Sequence, residues 1–157
     1  DSAPGEGTTL SLYLPRAAES ARDAPLPLTA SDDAPRGLRV LLVEDSRTVA
    51  AFAEAVLEEI GCEAIHARDA EEALALLDEQ RFDIVFSDIV MPGLSGLELA
   101  TRLRAERPRL PILLATAYSE AAARGEGSEF PILTKPYRRD ALARMIGETI
   151  ETSRLAA

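Results

Sequence analysis

Four short apolar runs in this chain each end in a side chain that can do chemistry. "LRVLLVE" ends in Glu44 and is followed by Asp45. "FDIVFS" is followed by Asp88, "PILLAT" ends in Thr116, and Ile132-Leu133 lead into Thr134 and Lys135. A carboxylate can attack phosphorus to give an acyl phosphate. In-line transfer of that kind needs a cation bridging carboxylate and phosphoryl oxygens, and donors for the oxygens that remain. Asp88 is a candidate nucleophile, Glu44 and Asp45 are candidate cation ligands, and Thr116 and Lys135 are candidate donors. Each residue alone has a plainer reading. Glu44-Asp45 could be a helix cap with an acidic neighbour, Thr116 a strand end bonded to backbone, Lys135 a surface lysine, and Asp88 a turn residue.

The set is more informative than its members. Three carboxylates converging on one rim cost free energy unless a cation joins them, and an all-oxygen donor set favours a hard divalent ion such as Mg²⁺. Cysteine and histidine occur once each, as Cys62 and His66, so no zinc-type cluster exists. His66 falls on a strand and reads as structural or surface-facing, and Cys62 reads as a small buried hydrophobe. Lys135 is the only lysine, every other basic residue being arginine. A compact ammonium can meet one carboxylate or one phosphoryl oxygen. Pro136 follows it, marking a stiff turn in which a cis bond is an option.

These residues need elements to hold them. From Leu38 onward strand-like and helix-like segments alternate. Leu38–Val43 is an apolar run suited to a strand covered on both faces. Ser46–Ile60 places Val49, Phe52, Ala53, Val56, Leu57 and Ile60 on one helical face, and Gly61 stops the helix. "CEAIHA" is a second strand. Asp69 caps the next helix, with Glu72 as capping-box partner, and Ala73, Leu74 and Leu77 face inward. The third strand is "FDIVFS". Ser95 caps a helix with Leu97, Leu99, Ala100 and Leu103 inward. "PILLAT" and Ile132-Leu133 are strands four and five. A last helix starts near Arg138 or Arg139 with Leu142, Met145, Ile146 and Ile150 on one face. Such alternation predicts an α/β fold, a doubly wound parallel sheet with helices on both sides, and ligands bind outside the carboxyl ends of its strands.

The remainder differs in kind. "TTLSLYLP" alternates Leu10, Leu12 and Leu14 like one half-buried strand, and the following Pro-rich, charged stretch reads as a linker. The formal net charge of −10 argues against binding nucleic acid or anionic lipid by electrostatics. One cysteine excludes an internal disulfide and fits a reducing, cytoplasmic setting. No apolar run approaches membrane-spanning length and no signal segment opens the chain, so no direct membrane contact is expected. The chain could still belong to the cytoplasmic part of a membrane-bound protein.

The segments "VLLVEDS" (Val40–Ser46), "SDIVMPGLSGLEL" (Ser87–Leu99), "LLATA" (Leu113–Ala117) and "LTKPY" (Leu133–Tyr137) together resemble the receiver domain of two-component response regulators. The resemblance implies a five-stranded parallel sheet in the order 2-1-3-4-5 with five helices. It implies that Asp88 is the phosphoacceptor and that Glu44, Asp45, Asp88 and the main-chain carbonyl of Val90 hold Mg²⁺. It further implies that Thr116 and Lys135 contact the phosphoryl group. Pro4–Ala17 resembles the last turn and strand of a sensor histidine kinase ATP-binding domain. Residues 1–17 would then be a kinase remnant, 18–37 a linker and 38–155 the receiver. The whole would be the C-terminal portion of a hybrid kinase without kinase activity of its own. Its partners would be a histidine kinase core, in cis or trans, or a histidine phosphotransfer protein.

Two departures from the family pattern stand out. Ile132 occupies the position, three before the lysine, where many receivers carry a switching aromatic, leaving Tyr118 or Tyr137 as substitutes. The segment between strands four and five is short and rich in Gly, Ala and Glu, so its helix is expected to be brief or irregular. Ser119–Phe130 is expected to be the most mobile part and the face that reports phosphorylation. Two other readings stay open at this point: an interaction module on the same fold that does not depend on phosphorylation, and a metal-dependent hydrolase. The latter needs a further general acid or base that the sequence does not supply.

Overall fold

The computed structural model describes residues 2–3, 7–8, 37–117 and 129–155. The chain divides into two units, Asp1–Ala30 and Ser31–Ala157. In the first, Ser2–Ala3 and Gly7–Thr8 pair as two short antiparallel strands. The expected strand through Leu10, Leu12 and Leu14 and the expected linker, apart from Gly37, lie outside the described residues.

The second unit has the alternating architecture that the sequence predicts. Its strands are β1 (Arg39–Val43), β2 (Glu63–Ala67), β3 (Ile84–Asp88), β4 (Ile112–Thr116) and β5 (Ile132–Thr134). They form one parallel sheet in the order β2-β1-β3-β4-β5. The described helices are α1 (Arg47–Ile60), α2 (Ala70–Glu79), α3 (Gly96–Glu106) and α4 (Arg139–Leu155). The helix expected between the fourth and fifth strands falls on residues 118–128, outside the described residues. Of that expected reporting segment, Glu129 and Phe130 are described, and Phe130 is buried, with Arg104 over its ring at 5.0 Å.

Alternation along each strand divides the core into two layers. Val40, Leu42, Ile84, Phe86, Leu113, Ala115 and Leu133 pack against α1 and α4 on one face. Leu41, Val43, Val85, Ile112 and Leu114 pack against α2 and α3 on the other. Because both faces of β1, β3 and β4 are covered, these strands read as near-continuous apolar runs with polar groups at their ends, whereas the edge strand β2 is only partly buried and carries His66.

The helix boundaries have local causes. Gly61 takes a left-handed conformation (φ 89°) and ends α1. Asp69 caps α2 by accepting from the Glu72 N–H at 2.8 Å, but the Glu72 carboxylate reaches Arg68 N–H and not the cap residue, so the expected box is incomplete. The complete box belongs to α3. Ser95 Oγ accepts from Glu98 N–H while the Glu98 carboxylate accepts from Ser95 N–H at 2.9 Å. The Ser95 hydroxyl, donating to the Glu98 carboxylate at 2.6 Å, and then the Ser95 N–H hold the Glu98 carboxyl below its ordinary range. Two inward assignments are corrected. Phe52 is 53% and Leu97 is 37% exposed, while the buried stripe of α1 runs through Ala50, Ala53, Val56, Leu57 and Ile60. Both residues border their helix's apolar stripe at its edge, where periodicity alone does not fix the side that packs.

Candidate phosphoryl-transfer site

Parallel strands end together, and that is what gathers the site. β1 delivers Glu44 and Asp45 just beyond Val43, which is level with Ser87 on β3. β3 ends on Asp88, level with Ala115. β4 ends on Thr116, level with Thr134 on β5, and Lys135 follows. The Lys135 backbone N–H donates to the Thr116 carbonyl at 2.7 Å, carrying the ladder one residue further. The Lys135-Pro136 bond is cis.

At the rim, carboxylate oxygens of Glu44, Asp45 and Asp88 lie within 4.8 Å of one another. Lys135 Nζ stands 2.7 Å from Glu44 Oε2 and 3.1 Å from Asp88 Oδ2. Glu44 Oε1 accepts from Ser46 N–H at 3.2 Å, and Asp88 Oδ1 accepts from Ile89 N–H at 2.8 Å. Glu44 and Thr116 are buried, Asp88 is partly buried and Asp45 is exposed. The cluster thus runs from a dry inner end to a wet outer one. Lys135 offsets only one of three formal negative charges. The remainder matches a divalent cation, and the donors are all oxygen, so the residues present fit Mg²⁺. Val90 lies two residues beyond β3 with its side chain 67% exposed.

Tyr137 closes the floor beneath this cluster. It is buried, its ring edge-on to Phe86 at 5.6 Å and tilted against Phe52 at 6.1 Å. Burial, with the negative charges of Glu44 and Asp88, pushes its hydroxyl up to about 12. Tyr118, the other aromatic substitute, lies outside the described residues. Ile132 is half-buried against the α2/α3 layer.

Sequence reasoning leaves two residues of this region without a role. A Cβ at Gly96 would stand 1.8 Å from the Asp88 carbonyl oxygen and 2.9 Å from Ser87 Oγ. The start of α3 therefore packs directly on the backbone that carries Asp88, helped by Gly96 N–H donating to Ile89 O at 3.0 Å. The one signal in the sequence is a glycine where the first turn of a capped helix favours other residues. The second residue is His66, whose ring is bonded to the Glu44 carbonyl (2.8 Å).

A recess of about 780 Å³ opens at the opposite end of the strands, lined by Leu38, Asp83 and Pro111, which precede β1, β3 and β4. The acidic cluster is not in it. Among the described residues no helix is long and apolar enough to cross a membrane.

Comparison with known proteins agrees with this geometry. The chain belongs to the response regulator receiver domain family, matching it over residues 40–147. It is 33% identical over 163 aligned positions to the sensor kinase CckA of Brucella abortus, covering 96% of this chain and 17% of that protein. It is 35% identical over 161 positions to the sensor histidine kinase AruS of Pseudomonas aeruginosa, covering 94% of this chain and 15% of that protein. The chain therefore spans less than a fifth of the length of these relatives. Among solved structures, the response regulator TrrA of Thermotoga maritima, in complex with Mg²⁺-BeF, superposes with a TM-score of 0.65 at 32% identity. That match covers 71% of this chain and 98% of TrrA. The protein is a receiver domain with a carboxylate cluster suited to Mg²⁺ and to phosphoryl transfer in a phosphorelay. The arrangement is consistent with a receiver domain's own phosphorylation and dephosphorylation.

Proposed function

We propose that Asp88 is the residue that takes the phosphoryl group, from a phosphohistidine on a histidine kinase core or a histidine phosphotransfer protein. The observation that carries this reading is the single ammonium of Lys135 between Glu44 and Asp88, with Asp45 beside them. A carboxylate oxygen of Asp88 forms the new O–P bond as the P–N bond to the donor imidazole breaks, and the electron pair and a proton remain with the imidazole. Lys135 then turns from Asp88 to a phosphoryl oxygen, and the Thr116 hydroxyl donates to another. Glu44, Asp45, Asp88 and the Val90 carbonyl would hold Mg²⁺, which would supply positive charge to offset that of the carboxylates and the phosphoryl group. Attack by water on phosphorus then breaks the Asp88 O–P bond, releasing inorganic phosphate and returning the free carboxylate.

We further read residues 1–17 as the end of a kinase ATP-binding domain, 18–37 as a linker and 38–155 as the receiver. Support comes from the alignments to CckA and AruS, which extend over nearly the whole chain and not over its receiver part alone. The host protein is then a hybrid kinase.

Asp45→Ala tests the cation part of this reading. With Glu44 drawn to Lys135, removal of Asp45 leaves too few free oxygens to centre the ion. Backbone amide shifts followed through a Mg²⁺ titration should show saturable binding in the wild type and its loss in the variant. Equal affinity in both would place the ion elsewhere.

A further inference from the structure

We propose that His66 is a positioning residue that fixes the acidic turn for cation binding, an inference resting on the reading of Glu44 and Asp45 as ligands. His66 lies on the edge strand β2, level with Leu42 of β1. The last paired residues of the two strands are Val43 and Ala67, and the Glu44 N–H still donates to the Ala67 carbonyl at 3.1 Å. The Glu44 carbonyl lies past the ladder and meets an imidazole nitrogen, His66 Nε2, at 2.8 Å. The other ring nitrogen, Nδ1, is 3.3 Å from Arg47 Nη1. A guanidinium only donates and a carbonyl only accepts. One arrangement satisfies both: Nδ1 accepts from Arg47 and Nε2–H donates to Glu44.

The consequence lies in the peptide between Glu44 and Asp45. It is planar, so fixing its carbonyl also fixes the direction in which Asp45 leaves. Glu44 is then held at both ends, by His66 at the carbonyl and by Lys135 and Ser46 N–H at the carboxylate. Asp45, exposed at the outer end of the cluster, takes its aim from the peptide that His66 holds. Partners that orient ligands in this way govern metal affinity without touching the ion.

Two substitutions separate the donated bond from the volume of the ring. His66→Phe keeps a ring and loses the donor. His66→Gln places an amide N–H as many bonds from Cβ as the imidazole Nε2. Mg²⁺ titrations followed by amide shifts should show His66→Phe binding about tenfold more weakly than wild type, with a folded spectrum and with Glu44 and Asp45 amides displaced before metal is added. His66→Gln should recover most of the affinity. Wild-type affinity in His66→Phe overturns the proposal, and so does His66→Gln binding as weakly as His66→Phe. His66 is the only histidine, so ring ¹⁵N shifts of the wild type give a test independent of any variant's folding. A ring held with the proton on Nε2 is expected, and a ring averaged between tautomers overturns the proposal. Absence of Mg²⁺ binding by the wild type would instead defeat the ligand reading and take this inference with it.

Discussion

At the scale of single residues, the site is a matter of charge held in place by few bonds. Lys135 is mostly buried between Glu44 and Asp88, and removing one partner of a buried pair leaves the other charge uncompensated. Lys135→Ala should fold, but melt at lower temperature without Mg²⁺, by the equivalent of about 3 kcal/mol. Added Mg²⁺ should restore part of the loss, because a dication supplies the missing charge. Phosphoryl uptake should fall in Lys135→Ala, and Lys135→Arg should not recover it, since a planar fork does not fit a point-charge position. Full uptake in either variant would count against the role. Tyr137 adds a pH dependence whose sign is fixed. Its hydroxyl is pushed up to about 12 from an ordinary value of 10.0, so the neutral form is favoured in the folded state. The stability it contributes is complete below about pH 10 and is lost as pH rises towards about 12. Denaturation between those limits should be shallower in Tyr137→Phe than in wild type, and identical curves would contradict the burial argument.

Secondary-structure elements show how much a sequence reveals and where it falls silent. Four of the five strands are legible as short apolar runs bounded by turns, and their ends name Glu44, Asp45, Asp88, Thr116 and Lys135 together, while the edge strand Glu63–Ala67 is legible more weakly, from the alternation of elements around it. The exposure of Phe52 and Leu97 is not legible. Both sit at the margin of a helical stripe, and only the tertiary neighbours decide such positions. Nor is the role of Gly96, because its constraint comes from Asp88, eight residues earlier, and nothing local demands it. The His66 bond is hidden for the same reason, joining adjacent strands through a backbone group that no sequence pattern marks. Gly96→Ala should therefore destabilise by at least about 2 kcal/mol, since backbone and not a flexible side chain must yield, and should displace Asp88. Gly147 is the contrast: it lies inside α4, and a Cβ added there would meet nothing within 4 Å. Gly147→Ala should stabilise by about 0.5–1 kcal/mol. Denaturant melts of the two variants check both, and a neutral Gly96→Ala would refute the close packing at Asp88.

At the scale of the whole molecule, a strongly acidic chain concentrates part of its charge at one end of a parallel sheet and holds it there with one ammonium. The kinase relatives that align over nearly all of this chain are much longer proteins, of which it spans less than a fifth. The proposed nucleophile Asp88, the carboxylates Glu44 and Asp45, and Lys135 lie together on the rim of the sheet. The most direct measurement is intact mass after exposure to acetyl phosphate with and without Mg²⁺, on wild type and Asp88→Asn. The account predicts a gain of one phosphoryl group in the wild type, dependent on Mg²⁺ and labile to base, and no gain in Asp88→Asn. Equal labelling of Asp88→Asn, or labelling indifferent to Mg²⁺, would contradict it.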